Sequence, residues 1–186
     1  MISSQDRSGW FGASDVDKIM GNRKTATWQN WWLEKLGLRH NSFSTTAMNA
    51  GTYKEHQILE YIGAAEMDKQ ILLPDILLRI NLDGNTGKKI HEVKTFAWVE
   101  DWKPTKKYIQ QVNVQMFGYE SREAEIVAYG LLPEDYENFF LPIDPKRLLR
   151  IPVLYDDAFI GKFKPNLYEL ADCLKRGVMP YEVIVR

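Results

Sequence analysis

Residues 81–94 read Asn81-Leu82-Asp83-Gly84-Asn85-Thr86-Gly87-Lys88-Lys89-Ile90-His91-Glu92-Val93-Lys94, and the fold turns on how this stretch is paired. Gly84-Asn85-Thr86-Gly87 has the chemistry of a tight turn, so strands over 76–83 and 88–96 are expected to close as a hairpin. A third strand over 67–73 makes this a small antiparallel meander. Side chains alternate across a strand, which puts Glu92 and Lys94 on one face and His91 and Val93 on the other. If the hairpin closes, Asp83 approaches Glu92, and two carboxylates stand near one lysine.

Helices are expected on both sides of the meander. Ser14 can cap a short one over 15–20 that stops at Gly21, and a second covers 26–36 before Gly37. Thr46 opens a third that runs to Ile62, with Tyr53, Ile58 and Leu59 along it and Gly63 after it. Beyond the meander, Pro104 fits the first turn of a helix reaching Tyr119, whose Ile109, Val112 and Met116 follow helical spacing. A strand is expected over 124–132. Pro133, Pro142, Pro145 and Pro152 point to turns and short strands, and a closing helix over 155–176 is expected to be interrupted near Pro165. This order is that of an α/β sandwich, in which strand-borne residues can meet a carboxylate from a preceding helix.

The chain has 186 residues, 45% of them hydrophobic, enough for one domain over 1–186 with a sizeable core. A net charge of -1 argues against a broadly basic surface, yet a local groove that neutralises a few phosphates remains compatible with it. No stretch approaches the roughly 18–20 apolar residues of a membrane span. Met1 to Gly9 lacks the order of a signal peptide. With Cys173 the only cysteine, there is neither a disulfide framework nor a cysteine zinc site, and a cytoplasmic location is expected. Trp28, Trp31 and Trp32 are expected to pack the early helices, and His40, His56 and His91 share no metal-ligand spacing.

Two close carboxylates repel unless a cation lies between them, and hard oxygen donors suit Mg2+, or Mn2+, better than zinc. Such an ion polarises a phosphodiester and activates water, while a nearby lysine adds positive charge. Asp-x8-Glu-x-Lys alone is also what a solvated strand face presents. Two neighbouring blocks sharpen it: Met48-Asn49-Ala50-Gly51-Thr52-Tyr53-Lys54-Glu55 places a carboxylate in the preceding helix. Tyr108-Ile109-Gln110-Gln111-Val112-Asn113-Val114-Gln115-Met116-Phe117 places amides in the following one.

In the order of four blocks, ending at Glu55, at Asp83-Gly84, at Glu92-Val93-Lys94 and around Gln111, and over roughly residues 7–118, the chain resembles the YqaJ and lambda exonuclease branch of the PD-(D/E)xK nucleases. The resemblance implies a restriction-endonuclease-like sandwich with a central mixed sheet flanked by helices. It also implies metal ligation by Glu55, Asp83, Glu92 and the Val93 carbonyl, with Lys94 and Gln111 positioning water. Gln115, one turn on, reads as part of a polar stripe. The element Ala13-Ser14-Asp15 with Arg7 matches the branch's grip on a DNA 5′-phosphate, and an amide-rich helix start with a guanidinium is good phosphate chemistry. For a further acidic ligand on the strand before Asp-Gly, Asp75 is the nearby candidate. The implied activity is 5′ to 3′ hydrolysis of double-stranded DNA from its ends in recombination. A ring-shaped homo-oligomer and a single-strand annealing partner are implied with it. An endonuclease with the same centre, and a catalytically silent DNA-binding or interaction protein, stay open at this stage.

Overall fold

A computed structural model describes residues 8–39 and 46–180, with side chains in the helix from Thr46 described from Tyr53 onward. Strand β1 (Phe11–Gly12) passes through a 3-10 turn, Ala13–Asp15, into α1 (Val16–Ile19), followed by α2 (Ala26–Lys35) and α3 (Thr46–Ile62). Then come β2 (Glu66–Leu73), β3 (Leu78–Thr86), β4 (Lys89–Ala97), α4 (Lys106–Tyr119) and β5 (Ala124–Leu131). The short helix α5 (Pro133–Glu137), strand β6 (Leu148–Val153) and helix α6 (Asp157–Arg176) close the described chain. The sheet is mixed and runs β1-β3-β4-β5-β6, with β2 on the other edge of β3. No helix among the described residues is long and apolar enough to cross a membrane.

Strand β3 organises the site because its two edges are used differently. One edge pairs with β2 along its length, from Leu73↔Leu78 to Glu66↔Asn85. The other is shared: β1 pairs with its start in parallel, through Phe11↔Leu78 and Gly12↔Arg79. Strand β4 pairs with its end, through Gly84↔His91, Asn85↔Ile90 and Thr86↔Lys89. Between Arg79 and Gly84 that edge carries no strand partner among the described residues, and the sheet is split there. Strand β4 then runs parallel to β5 across the α4 crossover, and β6 is antiparallel to β5.

The hairpin turn lies three residues later than the sequence predicts. Gly84, Asn85 and Thr86 are inside β3, and the chain reverses at Gly87-Lys88, with Gly87 at φ +60°. Gly84 serves packing instead: a Cβ there would lie 2.5 Å from Leu59 Cδ2, and Leu59 is fully buried. The bare backbone lets α3 settle on the sheet. Gly84→Ala is therefore expected to lower stability by about 1–2 kcal/mol, since the buried Leu59 side chain would have to shift from its packed position. Thermal unfolding of the variant checks this.

Two apolar clusters hold helices against the sheet. The larger joins Phe11, Trp28, Trp31 and Trp32 to Leu78, Ile80, Ile90, Val112, Ile126 and the buried face of α6. Trp28 and Trp32 stack 5.4 Å apart, so the tryptophans pack as expected. The smaller cluster sets Ile58 and Leu59 of α3 on Val93, Val127, Tyr129 and Leu131. Lys54, fully buried, locks α3 further: its Nζ donates to Leu141 O at 2.5 Å and lies 3.4 Å from Asp135 Oδ1. Asp135 is in turn paired with Arg147.

Three local expectations are corrected. Ser14 is not a helix cap; it lies inside the 3-10 turn, where the Asp15 carboxylate accepts the Gly12 N–H at 2.8 Å. Helix α6 runs unbroken through Pro165. The cost of an interior proline, about 3 kcal/mol, is met by burying Ile160, Phe163, Leu167, Leu170 and Leu174 on one face. Residues 133–137, read as turn, form α5 because Pro133 occupies its first turn, where no N–H is needed.

Candidate active site

The split in the sheet opens into a cleft of about 360 Å3 lined by Ser14, Asp15, Lys35, Glu55, Arg79, Asn81, Asp83, Glu92, Val93, Lys94 and Gln111. Strand divergence explains its chemistry. Beyond Gly84↔His91 the β3–β4 ladder stops, and the Val93 N–H, left without a strand carbonyl, is taken by Asp83 Oδ2 at 2.8 Å. In an extended strand a residue's N–H and C=O point to the same edge. The Val93 carbonyl therefore faces the cleft beside Asp83.

Glu92 is buried in the wall of the cleft, 1% exposed. Its Oε1 accepts from Lys94 Nζ and from Gln111 Nε2, the latter at 2.5 Å, and its Oε2 accepts from Gln115 Nε2 at 2.5 Å. The expected facing holds: Lys94 meets Glu92 on one side of β4, while His91 bonds Glu125 and Thr86 on the other. Lys94 Nζ also lies 5.1 Å from the centre of the Tyr108 ring, a cation–π contact that steadies it. Glu55 arrives from α3, the turn below Leu59.

The electrostatics are those of crowded carboxylates. Burial, then repulsion from Glu92 and Glu55, pushes the Asp83 carboxyl well above the usual carboxylate range. Burial and Glu92 raise Glu55 as well. Burial works against the charge on Lys94, yet Glu92 and Asp83 outweigh it and hold the ammonium above the ordinary lysine range. Three acidic groups, Glu55, Asp83 and Glu92, thus crowd Lys94 in one cleft, and each offers hard oxygen donors. That set suits a divalent cation of the magnesium type. The carboxylates are not closed to ligand spacing as a set: among the described residues only Glu55, His56 and Asp68 bring three ligand atoms within 4.8 Å of one another. His56 Nε2 is already 3.1 Å from Asp68 Oδ2 there.

The sequence-derived candidates Glu55, Asp83, Glu92, Val93, Lys94, Gln111 and Ser14 thus share one cleft. Arg7 lies outside the described residues. Asp75 is excluded from the cleft: it is exposed in the 3-10 turn Pro74–Ile76, where its carbonyl accepts from Lys175 of α6. Position in sequence put it near Asp83, but the turn carries it off the end of the sheet. The reading of Gln115 as a solvated stripe is overturned by its burial against Glu92. The spacing of four from Gln111, on the face already committed to the site, was the signal that could have found it. Asp15 was also missed as a fixing residue. It accepts from Trp31 Nε1 at 3.0 Å and pairs with buried Lys35 at 2.7 Å, pinning the turn that bears Ser14.

No protein-family model and no curated protein matches the chain. Solved structures do. LHK-Exo, an alkaline exonuclease from Laribacter hongkongensis, is similar over 91% of this chain and 90% of its own, with 22% identity and a TM-score of 0.68. LHK-Exo in complex with dAMP is similar over 92% and 91%, with 24% identity and a TM-score of 0.69. A phage-related exonuclease from Haemophilus somnus 129PT is similar over 90% and 94%, with 15% identity and a TM-score of 0.66. The chain has the fold of these exonucleases, as the sequence resemblance implies.

Proposed function

We propose that the protein is a divalent-metal-dependent deoxyribonuclease that hydrolyses phosphodiester bonds from the ends of double-stranded DNA. The observation that carries this is the break in the β3–β4 ladder, which presents Asp83, Glu92, Lys94 and the Val93 carbonyl together at one cleft with Glu55 and Gln111. The exonuclease fold supports the same reading.

Asp83, Glu92, Glu55 and the Val93 carbonyl would hold Mg2+, or Mn2+, which when bound supplies Lewis-acid polarisation of the phosphate and a water of lowered pKa. Lys94 keeps its proton at neutral pH, so it acts as an electrostatic and hydrogen-bonding group and not as a base. Lys94 and Gln111, the two groups that donate to Glu92 Oε1, would orient the attacking water and balance charge on the phosphate. Ser14, which lines the cleft on the pinned turn, would bind a terminal 5′-phosphate, with Arg7 as its partner in that role. A deoxynucleoside monophosphate is what stepwise hydrolysis would release, the class of molecule bound in the dAMP complex of LHK-Exo. Duplexes labelled at either 5′ or 3′ end, with and without a 5′-phosphate, test the polarity: mononucleotide release from phosphorylated 5′ ends is expected, and release from 3′ ends overturns it. A homo-oligomeric ring and an annealing partner belong to the same proposal, and sedimentation of the free protein addresses the first.

Metal loading should depend on pH. The Asp83 and Glu55 carboxyls sit above the usual carboxylate range, so they are still partly protonated at pH values where ordinary carboxylates are ionised, and a cation must displace those protons. Mn2+ affinity is expected to climb as pH rises through that raised range and then level off. Calorimetric titration in buffers of different ionisation enthalpy will register proton release in the climb and none on the plateau.

A further inference from the structure

Gln115 is 1% exposed and ties together the two strands that the cleft separates. Its Nε2 donates to Glu92 Oε2 on β4 at 2.5 Å and to the Asn81 carbonyl on β3 at 3.4 Å. Asn81 lies within the stretch of β3 that has lost its strand partner on that edge. One side-chain amide therefore spans the gap at the place where the backbone ladder no longer does. The other half of the amide is left out: Gln115 Oε1 is buried and has no hydrogen-bond partner among the described residues.

That orphaned oxygen rules out packing as the reason for a glutamine. Met or Leu would fill a similar volume on α4 without burying an unsatisfied acceptor, which carries a free-energy cost. The gain must come from the amide N–H groups. The two oxygens of Glu92 are also held unequally. Oε1 is held by Lys94 and Gln111, both lining the open cleft, whereas Oε2 is held by Gln115 in the interior.

We propose that Gln115 is a positioning residue that anchors Glu92 through Oε2, so that Oε1 is the oxygen presented to a divalent cation, and that it fixes the width of the split between β3 and β4. This rests on the metal-dependent nuclease reading. Outer hydrogen bonds of this kind typically change metal affinity by about 10–100-fold. The test is Mn2+ titration of DNA-free protein followed by electron paramagnetic resonance, alongside the Mn2+ concentration giving half-maximal hydrolysis. Gln115→Met is expected to bind Mn2+ about 10-fold more weakly and to need correspondingly more for half-maximal activity, with a smaller loss at saturating Mn2+. A merely structural role would lower melting temperature and activity without moving the metal midpoint, and a folded Gln115→Met with wild-type Mn2+ affinity overturns the proposal. Should that variant fail to fold by circular dichroism, Gln115→Asn is read on the same titration. Its amide, one methylene shorter, cannot span both acceptors, so the same weakening is expected and wild-type affinity again overturns the proposal. Wild-type protein that binds no Mn2+, or Asp83→Asn binding it as tightly as wild type, would instead remove the nuclease reading on which the proposal stands.

Discussion

Asp83→Asn is expected to lower magnesium-dependent hydrolysis of linear duplex DNA by about 10^3-fold or more, and in chelator to make the protein more stable. The loss follows from removing one charged ligand, since metal polarisation contributes several kcal/mol and each 1.4 kcal/mol is about tenfold in rate. The gain follows from linkage. Asp83's folded pKa is raised, by burial first and then by Glu92 and Glu55, so its ionisation opposes folding. Its contribution is neutral at low pH, where both states are protonated. It becomes destabilising as pH rises from the unfolded carboxylate value of about 4 towards the raised folded value, and stays so above it. Asparagine removes that cost and can still accept the Val93 N–H. Stabilisation of about 1 kcal/mol, roughly 2–4 °C in Tm for a chain of this size, is expected near neutral pH and absent at acid pH. Melting curves in chelator across pH, with rates measured in parallel, check both halves. Catalytic centres commonly trade stability for reactivity, and here the trade is assigned to one carboxylate.

Lys94→Ala is expected to reduce the same activity by about 10^2–10^3-fold, the usual loss when one preorganised electrostatic group is removed from a water-poor site. Its effect on stability should be opposite in sign to that of Asp83→Asn. Lys94 is the cation that Glu92 and Asp83 hold above the ordinary lysine range, and its loss removes the ammonium that Glu92 accepts from and leaves its repulsion with Asp83 and Glu55 less compensated. Without metal the variant is expected to melt below wild type, with part of the difference recovered by adding Mg2+. Two inactive variants displaced to opposite sides of the wild-type Tm would separate site electrostatics from general damage to the fold.

The strands and helices around the site were legible because their signals are local. Period two over 88–96 gave β4 nearly to the residue, and it also gave the shared face of Glu92 and Lys94. What was not legible depended on packing at a distance. Gly84 reads as a turn residue, but its bare backbone is occupied by Leu59, distant in sequence, so the turn moves to Gly87-Lys88. Pro165 reads as a break, yet the apolar stripe from Ile160 to Leu174 holds the helix through it. The split between β1 and β4 along one edge of β3 has no sequence signature, since pairing partners are chosen by the whole sheet. For that reason Asp83 was placed beside Glu92 while its bond to the Val93 amide was not foreseen. Gln115 was undervalued because amides on helices are usually solvated, and only burial reveals which ones reach inward. Asp75 lies outside the cleft for the converse reason: proximity in sequence was overridden by a turn.

End-dependent, metal-dependent hydrolysis is read from the fate of matched linear and covalently closed circular DNA incubated with wild-type protein or Lys94→Ala, in magnesium or in chelator. Loss of the linear DNA alone, in magnesium alone and with wild type alone, is expected. Folded, metal-loaded wild-type protein that leaves both DNAs intact would contradict the nuclease assignment, and cutting of the closed circle would contradict the dependence on ends.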